Sequence, residues 1–272
     1  MGHLRRCLAV AERLQHHDIW FIADDLDTEA HALVARRGWR IVFLDEAVPD
    51  LWILDRLDNT DMGPLDGMVV ALEDQSNYPA DLVVNALYKP DGFDKTSVGS
   101  VDKYGADWCV LRPEFLAGDY QVRDEVKRIL IMFGGTDPSG LGERVYDVCT
   151  VAGWDVDWIR PGDDRAVAEA MHSADLLITS AGRTVYEAAA VGIPTIVLAQ
   201  NLRETTHAHL GYEHGNIYLG LGKLVSDKVI VDTIDVLSDN EVLRQELSDR
   251  GRPDGLGLDR IVHAVEGLLG GL

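Results

Sequence analysis

Residues 174–201, ADLLITSAGRTVYEAAAVGIPTIVLAQN, constrain the fold more than any other stretch of the chain. Leu176 to Thr179 is a short apolar run that suits a buried parallel strand. Ser180-Ala181-Gly182 reads as a turn, and Arg183 to Val191 has the Ala, Val, Tyr and Glu content of a helix. Gly192 supplies the helix stop, and Pro194 lets a second strand, Thr195 to Leu198, begin. Strand, helix and strand within so few residues imply a βαβ unit and a parallel sheet. The turn Ser180–Thr184 brings small residues and backbone N–H groups to a helix N-terminus, which stabilises a phosphate. Glu187, one turn on, can accept hydrogen bonds from both ribose hydroxyls. The unit therefore reads as a nucleotide site. An ordinary crossover whose glycines only permit close packing is the alternative.

The same grammar runs through the chain. Strands are expected at 19–23, 40–44, 52–54, 67–72 and 82–85, with 105–111 returning the chain to the sheet edge. Helices are expected at 4–14 and 28–37. Residues 117–127, AGDYQVRDEVK, are polar and aperiodic and are read as an interdomain linker. Beyond them come a strand at 129–133, a helix at 142–152, a strand at 154–159 and a helix at 163–172. Helices at 229–237, 241–249 and 258–269 follow. A length of 272 residues suits two domains. They are expected over 1–117 and 127–257, as two Rossmann-like halves facing each other across a cleft, with a C-terminal helix over 258–272. A doubly wound domain normally opens with a strand, yet this chain starts on the helix that carries His3. The first strand is therefore expected to be missing, as though the gene start had been placed at an internal methionine.

A net charge of −21 argues against nucleic acid and against anionic membrane surfaces as partners. No apolar run approaches the roughly 20 residues that span a bilayer. Cys7, Cys109 and Cys149 are too scattered for a disulfide framework or a metal knuckle, and are expected as buried thiols of a cytoplasmic protein. Lysine occurs only at 89, 95, 103, 127, 223 and 228, so arginine outnumbers it, as aspartate outnumbers glutamate. Dense carboxylates with little lysine suit a concentrated-salt, halophilic interior, where screening shortens self-repulsion. Circular dichroism across salt concentrations is expected to show stability rising with salt; full stability in dilute buffer would contradict this reading.

The spacing Gly182, Glu187, Gly192, Pro194 resembles the UDP-binding element of GT-B glycosyltransferases. It is most similar to the branch holding the UDP-sugar hydrolase of pseudaminic acid biosynthesis and its spore-coat polysaccharide relatives. Gly134-Gly135-Thr136-Asp137-Pro138 resembles that family's loop over the diphosphate. Two glycines at a strand end let backbone approach a ligand, Thr136 can bond a phosphate oxygen, and Asp137 is expected to cap the next helix. In Gly2-His3-Leu4-x-Arg6-Cys7-Leu8, the resemblance implies that His3 is the general base activating water. An imidazole can take a proton from water at modest cost. Arg6 is read as holding the loop or facing the cleft, or equally as a buried structural residue.

Leu111-Arg112-Pro113-Glu114-Phe115 also matches the family, and Arg112 and Glu114 are expected to pair with each other as interdomain structure, a substrate role being the alternative. Asp55, Glu73, Asp74 and Asn85 fall at strand ends and are read as solvated loop residues, although the family places an acidic pair near Glu73-Asp74. Asn201 is implied to contact the sugar, but Leu202 stands where the family often has Gln. Ser180, Gly182, Arg183, Thr184 and Glu187 complete the implied UDP site, with Arg183 as a cation for the diphosphate. His207 and His209 point to different helix faces, so no metal site is expected, and no cofactor. The implied activity is metal-independent, inverting hydrolysis of a UDP-linked sugar. A GT-B glycosyltransferase, a nucleotide-sugar epimerase and a non-catalytic sugar-nucleotide binder are the alternatives. The oligomeric state is not legible.

Overall fold

The computed structural model describes residues 2–22, 26–76, 78–88, 101–134, 137–160 and 164–271. The chain divides into two compact units, one of residues 1–86, 90–104 and 256–272, the other of residues 87–89 and 105–255.

The first unit opens with helix α1 (Gly2–Arg13), followed by β1 (Trp20–Ile22), α2 (Thr28–Arg36) and β2 (Arg40–Val42). Leu4 and Leu8, one turn apart on α1, are buried together with Ala30 and Val34 of α2, the stripe expected of an amphipathic helix. Asp27 caps α2 through the Ala30 amide at 2.8 Å. A second sheet holds β3 (Leu51–Asp55), β4 (Met68–Leu72), β5 (Leu82–Asn85) and β6 (Val101–Tyr104), in that order. All its pairings are parallel, as are those of β1 with β2. The return strand is β6, four residues earlier than expected, because 106–108 form a 3-10 turn instead. Helix α9 (Gly257–Leu269) closes the chain and belongs to this unit. Among the described residues, β1 and β3 each pair on one edge only. A cavity of about 770 Å³ lies against both strands, lined also by Leu4, Ala11 and Leu14 of the α1 segment and by Val265 and Leu269 of α9.

The second unit carries a short α3 (Pro113–Leu116), then β7 (Arg128–Met132), α4 (Leu141–Val151), β8 (Asp155–Trp158), α5 (Asp164–Ser173) and β9 (Leu176–Ser180). After these come α6 (Thr184–Val191), β10 (Thr195–Ala199), β11 (Asn216–Leu221), α7 (Asp227–Ser238) and α8 (Glu241–Asp249). Its sheet is parallel throughout, in the order β11-β10-β9-β7-β8. Every residue of β9 and β10 is buried, which is why they read as continuous apolar runs. Ile129 and Ile131 face Val145, Cys149, Ile230 and Ile234. Leu130 and Met132 face the other way, toward Phe115, Met171 and Ala188. The period of two along β7 thus serves two helical layers. Strand β11 went unread because it is an edge strand interrupted by Gly220.

Residues 117–127, read from sequence as a linker, lie inside the second unit. Their polarity has a structural use. The Arg123 guanidinium donates to Asp175 Oδ1 at 2.7 Å, and Asp175 Oδ2 accepts from the Lys127 and Arg128 amides at 2.8 Å each. These bonds hold the Asp175 carboxyl below its usual range, against burial pushing the other way. Cys109 and Cys149 are buried thiols and Cys7 is partly buried; burial pushes Cys149 up to about 12.

Candidate active site

The order of the second sheet fixes where a ligand should lie. Strand β7 continues to β8 on one side, whereas its other neighbour, β9, leads away through β10 to β11. The order reverses between β7 and β9, and in such sheets ligands bind outside the carboxyl ends of the strands at that point. What stands there is Phe133-Gly134 after β7 and Ser180–Arg183 after β9. Gly134 has φ +72°, a left-handed conformation that favours glycine. Asp137 caps α4 as expected, accepting from the Leu141 amide at 3.1 Å and the Gly142 amide at 2.8 Å. Gly135 and Thr136 lie outside the described residues.

Ser180 ends β9 and is buried, while Gly182, Arg183, Thr184 and Glu187 are half-buried along the start of α6. Arg183 is the cap residue in helical conformation, and its side chain makes no capping hydrogen bond. The positive dipole end of α6 therefore lies at this turn, with Glu187 the acidic residue of its first turn. The loop is held from behind. His207 Nδ1 donates to the Ala181 carbonyl at 2.5 Å, and Glu204 accepts from the Ala181 and Gln200 amides. Burial drives the Glu204 carboxyl up and the His207 imidazole down. Asn201 follows β10, and its Oδ1 accepts from the Glu204 amide at 3.0 Å, so it organises this same turn. Gly192 ends α6 at φ +93°, with the Arg252 guanidinium occupying the space a Cβ would need.

One expected pairing is different. Arg112 forms its ion pair with Glu187 and not with Glu114. Glu114 lies in the first turn of α3 and is exposed, whereas Glu187 is the half-buried carboxylate that Arg112 reaches from above the Phe115 ring, 4.6 Å from its centroid. The pair also fixes the carboxylate one turn into α6.

The first unit has its own polar cluster at the carboxyl ends of β3 and β4. His3 Nδ1 lies 2.6 Å from Asp55 Oδ1, and its side chain remains about half exposed. Asp55 is buried and also takes the Arg6 guanidinium through both oxygens. Arg6 Nη1 stands 3.6 Å from Glu73. Arg6 is thus the buried structural residue of its two readings, and Asp55 holds its charge above the usual range despite desolvation. Glu73, Asp74 and Asn85, read as solvated, are all buried. Asp74 accepts from the Ser76 amide and hydroxyl, and Asn85 donates to the Asp74 carbonyl at 3.2 Å. Glu73 adopts φ +58°, a cost that surrounding structure sustains mainly at functional sites.

Sequence reasoning missed Asp55 as the partner of His3, and Glu204 and His207 as supports of the Ala181 peptide. No local signal could have found them, since these contacts join positions 52, 23 and 26 apart. A charged residue closing a parallel strand, as Asp55 closes β3, is the one available hint.

No protein-family model matches the chain. It is 24 % identical to the spore coat polysaccharide biosynthesis protein SpsG of Bacillus subtilis, over 98 % of this chain and 94 % of that protein. It is 25 % identical to the uncharacterized protein MJ1062 of Methanocaldococcus jannaschii, over 92 % of this chain and 68 % of that one. Among solved structures, Acinetobacter baumannii MurG superposes with a TM-score of 0.60 at 14 % identity, over 98 % of this chain and 96 % of that one. S. aureus MnaA, solved with UDP, gives 0.59 at 12 % identity, over 98 % and 94 %. Two Rossmann-like units of parallel sheet with these neighbours define a protein of the GT-B fold. Within that class, the chain is similar along nearly its whole length to SpsG of Bacillus subtilis.

Proposed function

We propose that the chain is an enzyme of surface-polysaccharide biosynthesis that hydrolyses a UDP-linked amino or deoxy sugar at its anomeric carbon. The observation that carries this is the start of α6 at the sheet reversal, with Glu187 one turn along. UDP would lie against Gly134, Gly135, Thr136, Ser180 and Gly182–Thr184, with the sugar toward Asn201. The name of SpsG supports the pathway, and the UDP in the MnaA structure supports the nucleotide.

His3 is the proposed base. An Nδ1–H donated to Asp55 leaves the Nε2 lone pair to accept the proton of an attacking water. The water oxygen bonds to the anomeric carbon as the carbon–oxygen bond to the diphosphate breaks, its electron pair leaving with UDP. The dipole of α6 and the Arg183 charge stabilise that leaving group, and attack from the opposite side inverts configuration. Incubation with UDP-sugars is expected to release UDP with no acceptor present. Release only on adding an acceptor would instead favour a glycosyltransferase.

Glu187→Ala is expected to weaken UDP binding about 10–100-fold, the worth of hydrogen bonds to a charged group. The 2′-deoxy nucleotide should lose affinity for the native protein but lose little more in the variant. Isothermal titration checks both, and unchanged UDP affinity in the variant would remove Glu187 from the site.

A further inference from the structure

The end of α1 and the last turns of α9 bring three donor groups together with no part in the site above. His16 Nε2 lies 2.8 Å and His17 Nε2 3.1 Å from one and the same oxygen, Glu266 Oε1. All three donor atoms lie within 4.8 Å of one another. The two rings stand 4.3 Å apart at 43°, so they converge on the carboxylate instead of stacking face to face.

We propose that His16, His17 and Glu266 bind a divalent transition-metal ion of the zinc or nickel kind. Two imidazoles and a carboxylate are a borderline-soft donor set that suits such ions and not magnesium or calcium. Donors on a tetrahedron of about 2.0–2.1 Å radius stand about 3.3 Å apart. The two measured edges fall just short of that, so the ion enters as each ring turns slightly outward and its Nε2 proton leaves. Partial exposure of all three side chains leaves the remaining positions to water. The net charge of −21 draws cations toward the surface.

The site is a clamp. Arg13 already pairs with Asp259, tying α1 to the start of α9, while His16 and His17 reach its far end. Flanking Glu266, α9 lays Val265 and Leu269 over the cavity beside β1 and β3. His3 sits at the other end of α1, about 20 Å away along the helix axis, so the ion's effect is on stability and not on the reaction.

Titration of the whole chain with Zn²⁺ in a non-chelating buffer is expected to show one site, with the thermal midpoint rising as it fills. Glu266→Gln keeps the size of the side chain and an acceptor oxygen but removes the charge. His17→Asn keeps a side-chain N–H donor but removes the imidazole. Each is expected to raise the dissociation constant at least about tenfold, since losing even a supporting partner of a ligand costs about 10–100-fold. Without metal, both variants should unfold close to the native midpoint. Binding that is absent in the native protein, or as tight in both variants as in the native protein, overturns the proposal. So does a midpoint that falls in the variants while zinc affinity is unchanged, since the cluster is then only hydrogen-bonded.

Discussion

Replacing Asp55 by Asn is expected to lower turnover in the proposed hydrolysis about 10²–10⁴-fold while UDP affinity stays within about twofold. Asn presents either an amide N–H to His3 Nδ1, which moves the ring proton to Nε2, or a neutral oxygen that does not stabilise the imidazolium. In the first case the base is gone, and in the second it is weakened. His3→Ala should match it, and the double variant should fall no further, because residues acting as one unit are not additive. His3 is the cleaner variant, since its side chain is half exposed whereas Asp55 also anchors Arg6. Steady-state assays with a UDP-sugar, alongside UDP titration, make the check. Turnover within threefold of native in His3→Ala would remove the dyad from the chemistry.

The largest stability effect is expected at Arg244 in the second unit. Its guanidinium is among the most deeply buried side chains and donates to four carbonyls. Nη1 reaches Leu237 at 2.6 Å and Ser238 at 2.8 Å, and Nη2 reaches Arg123 at 2.7 Å and Asp124 at 2.8 Å. The residue therefore joins the end of α7, the start of α8 and the segment leading into β7. Arg244→Met fills most of the volume but leaves those carbonyls without donors. About 3–5 kcal/mol should be lost, or about 6–20 °C in the unfolding midpoint for a unit of this size. Arg244→Lys should recover part of this, because an ammonium keeps the charge but not the planar fork. A midpoint shift under about 2 °C for Arg244→Met would show that water replaces the guanidinium.

What could be read in the chain follows the range of the interactions. The 174–201 unit was legible because each signal in it is local. A short apolar run, a small-residue turn, Gly192 at a left-handed stop and Pro194 beyond it act within one or two turns of backbone. The same holds for α8, whose Asn240 cap accepts from the Leu243 amide, and for β5. By contrast, β6 carries the polar sequence VDKY and is a strand only because β5 pairs with it. Arg112 offers Glu114 and Glu187 with equal charge, and chain distance favoured the nearer, wrong one.

By itself the sequence determined the α/β class, most of the alternation of elements and the small-residue turn at the start of α6, since propensity, period and capping are written in neighbouring residues. Tertiary structure alone decided which charges meet. Folding set Asp55 behind His3, Arg112 against Glu187, Glu204 and His207 around Ala181, and two histidines against Glu266. Each of those partners stands 23 to 250 positions away, and it was selected by strand order and by burial that no isolated charge could survive unpaired.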